Sequence, residues 1–182
     1  MPFIRSLPDD AAMLDVLRLS PEAARPLVQF HEALMRGTSP LTEGQRELLA
    51  AYVSGLNSCS YCQGVHAATA EAFGVPAELL NNLLVDVDRA EVDDRFRAML
   101  RFVRKLTLEP TRVVSEDAGA VLAAGWDDRA LHDAVMICGL FSFMNRVVLG
   151  LGLRADEEYA LQAAARLSSE GYAALLPHLG DG

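Results

Sequence analysis

Apolar residues recur three and four positions apart along almost the whole chain, and no stretch alternates cleanly at a period of two. That pattern predicts helices and no strands. Gly, Pro and capping residues cut it into about nine helical pieces. The first covers about 9–19, with Met13, Leu14 and Leu17 on one face. The second begins at Pro21, a residue suited to a first helical turn, and ends at Gly37. Its stripe is Leu27, Phe30, Leu34 and Met35. The third follows Thr42, with Gln45 at capping-box spacing, and fades at Asn57. The fourth takes Asn57 or Ser58 as its cap and stops at Gly74.

Beyond Pro76 the periodicity gives a fifth helix to Val85 and a sixth over about 93–107, with Phe96, Leu100, Val103 and Leu106 apolar. A seventh is capped by Ser115 and ends at Gly125. An eighth, from an Asp127 cap to Leu151, is apolar around most of its circumference, which predicts a place in the core or in an interface. A ninth spans about 156–168, and the tail 171–182 shows no firm pattern. With no repeat or linker, residues 1–182 read as a single all-α domain, a helical bundle with its chemistry concentrated at about 40–75.

Composition sharpens this picture in two respects. Hydrophobic residues make up 51% of the chain, an apolar surplus that points to a homo-oligomer. The net charge of −9 excludes a phosphate backbone as a natural partner, so no nucleic acid is expected. The start, MPFIRSLPDD, lacks the pattern of a signal peptide. The longest apolar run, 134–144, is too short to span a bilayer, so no membrane is expected. The expected compartment is the cytoplasm, where three cysteines, two of them as Cys-x-x-Cys, suggest redox chemistry or metal binding rather than a disulfide framework.

The informative stretch is E47-LLAAYVSGLNS-C59-SY-C62-QGV-H66. On a helix, positions 59, 62 and 66 fall within an arc of roughly 60°. Two sulfurs and an imidazole would then share a face. The first turn favours a thiolate at Cys59, and an imidazole one turn beyond Cys62 can exchange a proton with a thiol. A second cysteine resolves the oxidised first one as a disulfide. A turn at Asn57–Ser58 would bring Glu47 towards His66, where a carboxylate can orient the ring. A zinc site wants a fourth ligand, and none is nearby in sequence, so no metal is expected. Covalent haem attachment needs His directly after the second cysteine, where Gln63 stands. A thioredoxin fold would place a strand before the motif, and a helix is predicted there. Cys138 reads as a buried structural cysteine, and His132 and His178 as surface residues. Tyr61, His31 and Asn145 are candidates for lining a pocket, with Asn145 and Arg146 alternatively anchoring an interface.

The pattern Glu-x11-Cys-x-x-Cys-x3-His resembles the signature of AhpD-like alkylhydroperoxidases in the carboxymuconolactone decarboxylase superfamily. The segments LTEGQRELLAAYVSGLNSCSYCQGVHAATAEAFG, FSFMNRVVLGLG and FHEALMRG are similar to its peroxidase-related subgroup. The resemblance implies an all-α AhpD-like fold, assembly as trimers, hexamers or related rings, and reduction of peroxides without a bound cofactor. An external dithiol would re-reduce the site: a lipoyl-type or thioredoxin-like protein, or a small thiol. Cys59 and Cys62 would form the redox pair, with Glu47 and His66 as proton relay. Tyr61 stands where the best-known members carry a second histidine, and a phenol is a poor base near neutral pH. The helix-start argument favours Cys59 as the attacking thiol, and the resemblance favours Cys62. The alternatives are a redox-switched sensor or interaction protein with little turnover, and a lyase or isomerase of the carboxymuconolactone decarboxylase type.

Overall fold

The computed structural model describes residues 1–180 and contains nine α-helices and two 3-10 turns, with no strand among the described residues. The helices are α1 (Met13–Leu17), α2 (Pro21–Met35), α3 (Glu43–Leu56), α4 (Ser60–Ala72), α5 (Leu79–Val85), α6 (Asp94–Leu108), α7 (Ser115–Ala123), α8 (Asp128–Leu151) and α9 (Glu157–Glu170). Four of them begin at a capping side chain. Thr42 accepts from the Gln45 N–H while Gln45 reaches back to Thr42, and Asp93, Asp127 and Asp156 each accept from the N–H three residues on. At α7 the cap differs from expectation. Ser115 is already helical, and Asp117 accepts the Val114 N–H instead.

The first helix is far shorter than its pattern suggests. Asp15 accepts the Ala12 N–H and so fixes a late start, and Pro21 disfavours helical backbone at Ser20. Residues 9–10 and 18–19 form turns, and Ala12 is extended.

Helix α3 is the hub. Every residue from Arg46 to Ser54 is buried, because α4, α5, α6 and α8 surround it. α3 and α4 form an antiparallel hairpin, and α9 lies along the other side of α4, with Gly64 and Ala160 in contact. By length and composition α8 could span a bilayer, contrary to the shorter estimate from its apolar run. Here it crosses the core, burying Ile137, Phe141 and Val148 against the hub.

The tail, which has no clear sequence pattern, is tied down. Gly171 turns it at φ 72°, beside the Glu32 carboxylate and with no room for a side chain. Glu32 Oε2 then accepts the N–H groups of Tyr172 and Ala173 at 2.7 and 2.9 Å, which opens the 3-10 turn Ala173–His178. Arg18 and Arg25 donate to the carbonyls of His178 and Gly180. The result is a strap across α2 that drives the Tyr172 ring inward.

The hairpin turns on Ser58, the sole non-glycine residue with positive φ (57°) among the described residues. A left-handed L-residue costs about 1–2 kcal/mol, most for a β-branched side chain. The Ser58→Gly variant should therefore be more stable than Ser58→Val by about 1–2 kcal/mol in equilibrium denaturation. Equal stabilities would contradict the turn.

Candidate active site

Asn57 ends α3, Ser58 reverses the chain, and Cys59 takes the N-cap position of α4. This corrects the expectation that Asn57 or Ser58 caps the helix. The left-handed turn removes both from the cap, and the Asn57 side chain donates to Asn145 Oδ1 at 3.0 Å instead. Cys59 therefore precedes the first turn, while Cys62 and His66 lie one turn apart on one face inside α4.

Both cysteines are free thiols and both are buried. Cys62 lies beside Cys59, and hydrogen bonding from its thiol is the main influence that brings the Cys59 pKa down to about 7. Burial opposes the shift, while the N–H groups of Cys62 and Tyr61 and the Asn145 amide assist it. The neutral thiol makes no capping bond of normal geometry, so this N-terminal field acts on the thiolate. Cys62 is shifted the other way, because donating to Cys59 and being buried both favour its protonated form. The ionisation of one thiol therefore depends on the state of the other.

Behind the sulfurs, Asn145 donates to Ser54 Oγ at 3.0 Å, and Ser54 Oγ donates to the Ala50 carbonyl at 2.7 Å. Asn145 is thus a support for the thiol pair from α8, not a cavity wall, because its amide is spent on Ser54, Asn57 and the sulfurs. Arg146, its neighbour, lies on the surface.

Glu47 projects from α3 and is completely buried. Its Oε2 lies 2.7 Å from His66 Nδ1. Oε1 receives the Arg36 guanidinium at 2.7 Å and the Tyr172 hydroxyl at 2.9 Å. Burial, the largest single influence, raises the Glu47 pKa, but the charges and hydrogen bonds of His66 and Arg36 together outweigh it and hold the group low. An ionised carboxylate only accepts, so His66 Nδ1 carries a hydrogen and its Nε2 is left for chemistry. Arg36 is held between the faces of Phe73 and Tyr172, at 4.9 and 5.1 Å from the ring centroids. Neither Arg36 nor Tyr172 is legible as a site residue in the sequence, since each reaches Glu47 only through tertiary folding.

A cavity of about 90 Å³ opens beside this assembly. Its walls are mainly apolar, with Leu17, Val28, Val65, Phe141 and Leu175, and Cys62, His66, His31 and Tyr61 also line it. Cys59 and Glu47 lie outside its wall. Cys62 is therefore the thiol that meets the cavity, and Cys59 stands behind it. The Tyr61 hydroxyl donates to the Tyr159 hydroxyl at 2.7 Å and accepts the Met13 N–H at 3.1 Å. Burial raises its pKa far above the ordinary value, so it holds α1, α4 and α9 together and has no proton to give near neutral pH. Cys138 is buried beside Thr107, away from this cavity, and His132 and His178 are exposed. No group of three or more His, Cys, Asp or Glu side chains among the described residues could hold a metal ion.

The pair should show an early thiolate. Absorbance of reduced protein at thiolate wavelengths should rise through a midpoint near 7, the charge being absent below it and present above it. In Cys62→Ala the midpoint should move up towards the ordinary thiol value, because the S–H donor is gone. An unchanged midpoint in that variant would contradict the coupling.

Comparison with known proteins agrees with the geometry. The family model "Carboxymuconolactone decarboxylase family" matches residues 21–105, which span α2 to most of α6 and contain all four motif residues. The uncharacterized protein YdfG of Bacillus subtilis is 24% identical over 117 residues, covering 64% of this chain and 80% of its own. A crystal structure of an uncharacterized peroxidase-related protein from Silicibacter sp. TM1040 superposes with a TM-score of 0.75 at 28% identity, covering 81% of this chain and 77% of that one. A second, described as an alkylhydroperoxidase AhpD core from Ralstonia eutropha JMP134, gives 0.74 at 28%, covering 82% and 78%. A structure from Agrobacterium tumefaciens at 18% identity shares the fold, with a TM-score of 0.68 over 78% of this chain and 95% of that one. The chain thus matches the carboxymuconolactone decarboxylase family model over residues 21–105, and its fold is shared with AhpD-like, peroxidase-related proteins.

Proposed function

We propose that the protein is a thiol-dependent peroxidase that reduces hydrogen peroxide or organic hydroperoxides. Cys59 and Cys62 are the redox pair, and Glu47 and His66 the proton relay. One observation carries this reading: Cys62 and His66 line the same cavity, while Cys59 lies against Cys62 and Glu47 fixes the His66 ring. The two structures at 28% identity, one of a peroxidase-related protein and one of an alkylhydroperoxidase AhpD core, support the same chemistry.

The thiol pair first gives one proton to His66 Nε2. The remaining proton moves to Cys59, leaving the thiolate on Cys62 at the cavity. The Cys62 sulfur attacks the terminal peroxide oxygen, so an S–O bond forms as the O–O bond breaks. The sulfur is oxidised by two electrons and the peroxide reduced by two. His66 returns its proton to the leaving oxygen, giving an alcohol, or water from hydrogen peroxide. Cys59 then attacks the Cys62 sulfenic acid, forming the disulfide and releasing water. Glu47 keeps the tautomer of His66 that leaves Nε2 free.

An external dithiol restores the pair by exchange and leaves as its own disulfide. The disulfide is reached through a narrow apolar cavity, so a slender lipoyl-type arm or a small thiol suits it better than a thioredoxin-like surface. The cytoplasm is the compartment that keeps such a dithiol reduced. Phe143, Leu149 and Val135 leave apolar surface exposed on α8, which supports assembly into a homo-oligomer such as a trimer or hexamer.

With dihydrolipoamide as reductant, the purified protein should consume cumene hydroperoxide catalytically. Cys62→Ser should lower turnover to the background rate. Undiminished turnover in both Cys59→Ser and Cys62→Ser would defeat the reading.

A further inference from the structure

The cavity holds a second histidine for which the steps above have no task. His31 comes from α2, outside the hairpin that carries the motif. Its ring is buried, and its Nδ1 lies 2.8 Å from the Leu27 carbonyl. A carbonyl only accepts, so Nδ1 carries the hydrogen and Nε2 keeps its lone pair. Nε2 has no protein partner among the described residues, and it is not sealed from open space, since His31 lines the cavity. The cavity wall is mainly apolar but also holds Cys62, His66, Arg166, Tyr61, Tyr159 and Tyr172, and a free acceptor in it is a place for a donor on a ligand.

The ring is also held in a fixed orientation. Tyr172 lies 5.3 Å from it, tilted by 32°, and Phe141 meets it edge-on at 6.1 Å. The same two rings flank His66, at 6.5 and 4.5 Å. The two imidazoles therefore border one space and share one pair of aromatic supports. Burial lowers the His31 pKa to about 4, so the ring stays neutral and its Nε2 remains an acceptor.

We propose that His31 is a catalytic residue of the peroxide step: its Nε2 accepts the O–H hydrogen of a hydroperoxide and aims the terminal oxygen at the Cys62 sulfur. The proposal rests on the peroxidase reading. The two histidines then recognise opposite ends of the O–O bond. His31 accepts from the terminal O–H. His66, carrying the proton taken from the thiol pair, donates from Nε2 to the inner oxygen. When the S–O bond forms and the O–O bond breaks, the His66 proton goes to the alkoxide, and the terminal O–H becomes that of the sulfenic acid. His31 holds its hydrogen bond throughout and does not change charge. The acceptor comes from α2 because Tyr61, at the position between the cysteines, is committed to Tyr159 and Met13.

Single-turnover kinetics test this directly. His31→Phe keeps a planar ring and removes the acceptor, His31→Leu removes both, and His31→Gln keeps an acceptor oxygen. Reduced protein is mixed with cumene hydroperoxide and the loss of free thiol followed; separate samples are alkylated with iodoacetamide. The Phe and Leu variants should be oxidised about 10- to 100-fold more slowly than the native protein. Their alkylation should stay within about twofold of the native rate, because the thiol itself is untouched. The Gln variant should be oxidised several-fold faster than the Phe or Leu variant that folds. Native-rate oxidation without the acceptor would overturn the proposal, as would an equal loss in alkylation or a Gln variant no faster than the others. Native protein inert to hydroperoxide would instead remove the peroxidase reading itself.

Discussion

The buried Glu47 carboxylate is the constraint on which the rest of the site depends. An ion taken out of water costs several kcal/mol unless opposite charge and hydrogen bonds surround it. Glu47 is fully buried, and its compensation arrives from three other segments: His66 on α4, Arg36 at the end of α2 and Tyr172 in the tail. No local stretch of sequence supplies these partners. Satisfying one charge therefore requires the hairpin, α2 and the strap to dock together, and in docking they build the wall that carries both histidines. The anchoring of Tyr172 through Glu32 and Gly171 serves the same end.

A second consequence is the division of labour between the thiols. Cys59, at the N-cap, receives hydrogen bonds from Cys62 and from the start of α4, which favours charge on it. Cys62 lines the cavity, as His66 does, but holds its proton more firmly. The low pKa and the access thus belong to different sulfurs. In the proposed mechanism the proton left on the pair moves from Cys62 to Cys59, which places the charge on the sulfur that lines the cavity. The helix-start argument and the family resemblance favour different cysteines, Cys59 and Cys62 respectively.

Helices were legible in the sequence where a period and a cap agree, as at Thr42, Asp93, Asp127 and Asp156, because those signals are local. Local signals also sufficed to relate Cys62 to His66 and to bring Glu47 near the ring. They failed where a long-range contact or an unusual backbone decides. Ser58 adopts a positive φ that nothing in its side chain announces, so the start of α4 was misplaced. Asn145 reads as a possible wall residue until its amide is seen bonded behind the thiols. Arg36 and Tyr172 are ordinary in sequence, and Tyr172 lies 125 positions from the carboxylate it meets.

The order of events at the sulfurs is tested most directly by peptide mass spectrometry after one equivalent of hydroperoxide. Native protein should lose two hydrogens within the peptide that holds Cys59 and Cys62. Cys59→Ser treated in the presence of dimedone should carry the adduct on Cys62. A native peptide that remains fully reduced, or an adduct formed on Cys59 in Cys62→Ser while Cys62 stays unmodified in Cys59→Ser, would contradict the account.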